Sequence, residues 1–145
     1  MNPNAGKYFS KDGERHPNIL EHERIAQLLV EEGYLKWEQD GEGEFSLHLA
    51  PRHPKRSSRV PKSISFSVEW GYELHSVSIP IAKWAAILAG EALSFKSVGW
   101  YEGKKFPVWW SFSCDDRHSV YVSYGDEGLT GFEGDITNGY ISEEH

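Results

Sequence analysis

The segment FPVWWSF, residues 106 to 112, sets two tryptophans side by side in a stretch with the composition of a β-strand. Successive strand side chains point to opposite faces of a sheet, so Trp109 and Trp110 cannot share a face unless the strand is bulged. Any sheet that holds this segment must place a large aromatic on each side. Alternation assigns Phe106, Val108, Trp110 and Phe112 to one face, with Val120, Val122 and Tyr124 of the next strand beside them. The other face receives Pro107, Trp109, Ser111 and Ser113, joined by Val98, Trp100 and Tyr121. The first set is a core. The second is an aromatic set on an otherwise polar face, and at roughly 25 cal/mol per Å² of apolar surface it calls for a cover. The helix carrying Trp84 is the obvious one; a protein partner or second copy, and a small molecule in an aromatic-lined pocket, are the alternatives.

The rest of the chain supplies the elements around that strand. HPNILEHERIAQLLVEEGYLKW contains a helix with Ile25, Leu28 and Leu29 on one stripe and Gly33 as its stop. YLKWEQ and EFSLHLA read as a hairpin around DGEG. SISFSVEW alternates through Ile64, Phe66, Val68 and Trp70, followed by YELHSVSIP and a second helix with Ile81, Trp84, Ile87 and Leu88 on one side. LSFKSVGWY and FPVWWSFS flank EGKK, whose Gly103-Lys104 centre suits a type II′ turn pairing Gly99 with Val108. An odd-length loop then sets Phe112, Trp110 and Val108 against Val120, Val122 and Tyr124. The order is not an alternating βαβ pattern. It predicts a single α+β domain over residues 1–145: a mainly antiparallel, twisted sheet of about six to eight strands with two helices, the longer one N-terminal. Residues 1–16 read as a polar arm, 52–62 as a basic loop and 137–145 as an acidic tail.

Charge narrows the partners. The net charge of −7 argues against nucleic acid over most of the surface. RHPKRSSRVPK, residues 52 to 62, carries five basic residues and no acid, among them Arg52, Arg56 and Arg59. From Asp126 onward there are six acids and no Lys or Arg, including Glu127, Glu133 and Asp135. The single cysteine, Cys114, allows no intrachain disulfide and points to a reducing, cytoplasmic setting. The longest apolar run, WAAILAG, is far too short to span a bilayer, so no membrane association is expected.

No motif identifies a reaction. CDDRH places Cys114, Asp116 and His118 at alternate positions, a donor set that zinc or another transition metal accepts, yet Asp-Asp-Arg is also ordinary hairpin-loop chemistry. GDEGLTGFEGD follows neither the GxGxxG nor the P-loop spacing, and its acids would repel a phosphate. No cofactor and no catalytic residue is assigned, and the reading leans away from an enzyme.

ERIAQLLVEEGYLKWEQDGEGEFSLHLAP resembles the last helix and wing of a winged-helix DNA-binding domain, with the basic loop next in sequence. That resemblance covers about a fifth of the chain and implies DNA binding; helix-plus-hairpin is also generic α+β grammar, and the acidic balance favours the latter. The expected function is a small, acidic, non-enzymatic protein-binding domain, of the inhibitor or immunity-protein type or a homo-oligomer. Trp100, Trp109 and Tyr121 would anchor a partner, and Asp126, Glu127, Glu133 and Asp135 would steer it, which suits a basic partner. In a symmetric dimer the basic loop would instead meet the acidic tail of a second copy. The competing expectation is a small-molecule-binding protein or small metal-dependent enzyme with a pocket between sheet and helix.

Overall fold

The computed structural model describes residues 17–39, 41–51, 57–70, 73–114, 120–126 and 129–145. Helix α1 spans Pro17–Glu31 and opens on a proline, whose missing N–H costs nothing at a helix start. His22, Ile25, Ala26, Leu28 and Leu29 form its buried stripe, and Gly33, at a φ of 86°, lets the chain turn away. β1 (Leu35–Gln39) and β2 (Phe45–Leu49) pair as the expected antiparallel hairpin, with Leu35 opposite Leu49. β3 (Ser63–Trp70) and β4 (Glu73–Pro80) form a second hairpin. α2 (Ile81–Leu88) follows directly, burying Ile81, Trp84, Ala85, Ile87 and Leu88, and Gly90 ends that segment at a φ of 97°. β5 (Leu93–Tyr101), β6 (Lys104–Cys114), β7 (Val120–Asp126) and β8 (Leu129–Asp135) form a meander. A one-turn 3₁₀ helix, Ile136–Asn138, leads into β9 (Tyr140–Glu144).

The fold is α+β, with two α-helices, the longer at the N-terminus, and nine strands among the described residues. They form three antiparallel sheets: β1-β2, β4-β3-β9 and β5-β6-β7-β8. No helix among the described residues is long and apolar enough to cross a membrane. The expected acidic tail is corrected: residues 140–144 are β9, paired to β3 with Phe66 opposite Ile141. Charge hid the strand. Glu143 is half-buried and ion-paired with Arg24 of α1, a partner too distant in sequence for local pattern to supply. The end of the basic stretch is tied down as well: Val60 is fully buried, and the Lys62 amide donates to the Glu144 carbonyl at 2.7 Å. The N-terminal arm and residues 52–56 lie outside the described residues.

The two aromatic sets part as alternation requires. Trp110, Phe112, Val120, Val122 and Tyr124 are buried on one face as expected, but the β6–β7 register lies two residues from expectation, with Trp110 opposite Tyr124 and Phe112 opposite Val122. The β5–β6 register is two residues away from expectation: Gly99 faces Phe106 and Val98 faces Pro107. The turn centres on Glu102 and Gly103, both at positive φ (49° and 77°), the signature of a type I′ rather than a type II′ turn. A slip of two preserves the faces because the side-chain period is two.

The cover expected for Trp109 is also corrected. Phe112 meets the Trp84 ring at a centroid distance of 6.5 Å and the Phe66 ring at 6.2 Å. Phe66 also stands edge-on to Trp110 at 6.5 Å. Both α2 and the three-stranded sheet therefore close over the Trp110 side. The helix goes to the face with the larger apolar area, where its own buried stripe recovers most from desolvation.

Candidate binding face and cleft

On the outer face of the four-stranded sheet, strand pairing sets Lys96 beside Trp109 and Val98 beside Pro107, with Gly125 on the other flank of Trp109. Trp109 is 37% and Val98 56% exposed, and Pro107 is exposed as well. The Lys96 ammonium lies 5.7 Å from the Trp109 ring centroid, a cation–π contact that covers part of the indole. Tyr121 is 45% exposed on the same face, but it stands opposite Ser113, four residues along from Trp109's partner Gly125. That is about 13 Å at ~3.3 Å per residue. A rung of small hydroxyls intervenes, with Ser111 between Ser94, which it hydrogen-bonds at 3.0 Å, and Ser123. The aromatics share a face without forming one cluster. The apolar patch is Val98, Pro107 and Trp109.

The backbone of Trp100 pairs with Lys105, at the turn end of the same face, and that of Asp126 with Val108. Glu133 is exposed on β8. Asp135 is engaged locally, where its carboxylate caps the 3₁₀ helix by accepting from the Thr137 amide at 2.8 Å. Arg59 bridges Glu31 at 3.0 Å and Glu32 at 3.1 Å, which ties the basic stretch to the end of α1. Glu127, Arg52 and Arg56 lie outside the described residues, as do Asp116 and His118. Cys114, the remaining candidate ligand, is half-buried at the end of β6. Among the described residues no three His, Cys, Asp or Glu side chains come together as a metal site.

Alternation did not single out the second feature. Leu74, His75 and Ser76 of β4, Val98 and Gly99 of β5, Trp110 and Tyr124 line a cleft of about 170 Å³. The Tyr124 hydroxyl and His75 Nδ1 share a buried hydrogen bond of 2.8 Å, the rings 4.9 Å apart. The available signal was an imidazole in the inward row with Val77 and Ile79. The cleft is smaller than the ~300–1,000 Å³ typical of pockets for drug-sized ligands. Two exposed apolar side chains, Leu74 and Val98, contribute to its walls, so it adjoins the Trp109 patch through Val98.

The helix and hairpin that resemble a winged helix do form, but their charges are internally matched. Lys36 bridges Glu38 at 2.7 Å, and this hydrogen bond, foremost, holds the Glu38 carboxyl below its ordinary range. Both described arginines, Arg24 and Arg59, engage carboxylates. Comparisons with models of known protein families, with curated proteins and with solved structures give no match. A functional reading therefore rests on the geometry of this face alone.

Proposed function

We propose that the chain is a non-enzymatic protein-binding domain whose contact surface is the outer face of the β5–β8 sheet around Trp109. The observation that supports it is the exposure of Trp109 beside Val98 and Pro107, opposite a face that two other layers cover. A tryptophan with an apolar surround is the side chain most often found as an energetic anchor at protein interfaces. The acids of the C-terminal third contribute little to this reading. Asp135 is a cap, Glu143 is paired with Arg24, and Glu144 accepts from Ser78 at 2.6 Å. The dimer reading, basic loop against acidic tail, loses support in the same way, since Arg59 and Glu143 already have partners within the chain. A cytoplasmic setting is part of the proposal and rests on the single cysteine.

Affinity capture from the native host, run in parallel with wild type, Trp109→Ala and Tyr140→Ala, tests the proposal. Tyr140, at 59% exposure, is a more exposed aromatic on the other sheet and serves as the control. A protein retained by wild type and Tyr140→Ala but lost with Trp109→Ala is the expected result. Identical captured sets for all three would overturn it.

A further inference from the structure

We infer that Ser46 is a covalent modification site, a hydroxyl activated by His48 and Glu38 to take an acyl group from an activated ester. The inference is independent of the Trp109 face. It concerns the β1–β2 hairpin, a separate sheet, where strand pairing sets Glu38 opposite Ser46 and Lys36 opposite His48 on the side away from buried Leu35 and Leu47. Neighbouring rungs bring three groups into a line. The Ser46 Oγ lies 2.9 Å from His48 Nε2, and His48 Nδ1 lies 3.3 Å from Glu38 Oε2. A nucleophile, a base and a carboxylate that orients the base are the parts that activate a serine, whatever the fold that carries them.

The carboxylate decides the tautomer. The hydrogen bond from Lys36, foremost, holds the Glu38 carboxyl below its ordinary range, so Glu38 is ionised at neutral pH and can only accept. In the neutral imidazole the proton is then drawn to Nδ1, which leaves Nε2 as the acceptor for the Ser46 hydroxyl. Other hydroxyls with described partners lack one of these parts. Ser67 and Ser76 bond each other, as do Ser94 and Ser111, while Ser78, Thr137 and Tyr140 donate to carboxylates. Tyr124 shares a hydrogen bond with an imidazole, but burial closes it to a reagent. The side chains of His48 and Glu38 are 46% and 43% exposed and Ser46 is half-buried, so a small ester can reach the Oγ.

As Oγ bonds to the acyl carbon, its proton passes to Nε2 and the carbon–oxygen bond to the leaving group breaks with its electron pair; the proton then goes to that oxygen or to water. On an exposed hairpin the charge developing on the carbonyl oxygen is met by water, so the donor must carry a good leaving group. The product is an ester on Ser46 and not an intermediate of turnover, which leaves the non-enzymatic reading in place.

The test is incubation of the full chain with para-nitrophenyl acetate near neutral pH, with the acetylated positions followed in time by peptide mapping and mass spectrometry. Acetyl should appear on Ser46 ahead of the exposed Ser76 and Ser142, and His48→Asn should slow its appearance by about tenfold or more. Glu38 is a positioning residue. Glu38→Gln should slow the labelling less, and in imidazole nitrogen NMR spectra it should move His48 from the Nδ1-protonated form towards the mixture of an unconstrained imidazole. Acetylation of Ser46 no faster than that of Ser76 and Ser142, or unchanged by His48→Asn, would overturn the inference. So would an Nε2-protonated His48 in the wild-type spectrum. None of these outcomes bears on capture through Trp109.

Discussion

The outer faces of the two larger sheets follow the same alternation and arrive at different surfaces, although the three-stranded one also exposes Leu74 and Tyr140 on its two edge strands. On the three-stranded sheet the rungs run Ser78–Ser65–Ser142 and Ser76–Ser67–Tyr140. Ser67 and Ser76 hydroxyls bond each other at 2.7 Å, and Ser78 donates to Glu144. Small hydroxyls of this kind are satisfied by one another and by water. On the four-stranded sheet the corresponding positions include Val98, Pro107 and Trp109, whose exposed apolar surface gains nothing from solvent. A sheet face that departs from apolar-in and polar-out on one side only marks where another molecule would relieve the cost.

Substitutions can break or sharpen that contrast. Trp110→Ala removes the largest inward side chain of β6 and should destabilise by about 3–5 kcal/mol in a urea titration. Trp109→Ala on the same strand should change stability by less than about 1 kcal/mol, because its ring is already in partial contact with water. Equal losses for the two would mean that Trp109 is core and would erase the difference between the faces. Between these extremes stands Gly99→Ala. A Cβ there would lie 2.8 Å from both Phe106 Cζ and Val108 Cγ1, so about 1–3 kcal/mol of overpacking is expected in the same titration. Replacing Ser67 and Ser76 together with alanine removes both partners of one hydrogen bond and should stay within about 0.5 kcal/mol, measured as a shift in the urea midpoint. The smallest effect is a titration. The hydrogen bond to Glu69 raises the Tyr140 phenol above its ordinary value, so its stabilising contribution is present below the unfolded-state pKa and fades as pH rises through the folded one. An NMR pH titration should return Tyr140 to an ordinary phenol in Glu69→Gln.

Parts of this arrangement were legible from residue order, for reasons that can be named. The facing of β6 and β7, though not their exact register, follows from apolar positions on both strands, since an odd slip would have turned Val120, Val122 and Tyr124 to solvent. The faces of β5 survive a misread turn because an even slip cannot exchange them. The choice of covered face was not legible: each side of β6 offers aromatics, and only the route of the chain through α2 brings Trp84 to Phe112. Nor was β9, where YISEE carries a single strongly apolar residue and depends on Arg24 to seat Glu143. The cleft escaped because it lies between two edge strands, each of which pairs on one side only among the described residues. Local pattern carries no information about such a gap.

Asn18, at the start of α1, spends both amide protons on the far end of the sequence, donating to the Ile136 carbonyl and to that of Gly139 at 2.6 Å. This contact joins positions more than a hundred residues apart, so loop-closure entropy opposes it until the strands in between have paired. The Asn18 end of the helix is therefore expected to lock last, and Asn18→Ala should accelerate unfolding while leaving the folding limb of a chevron nearly unmoved.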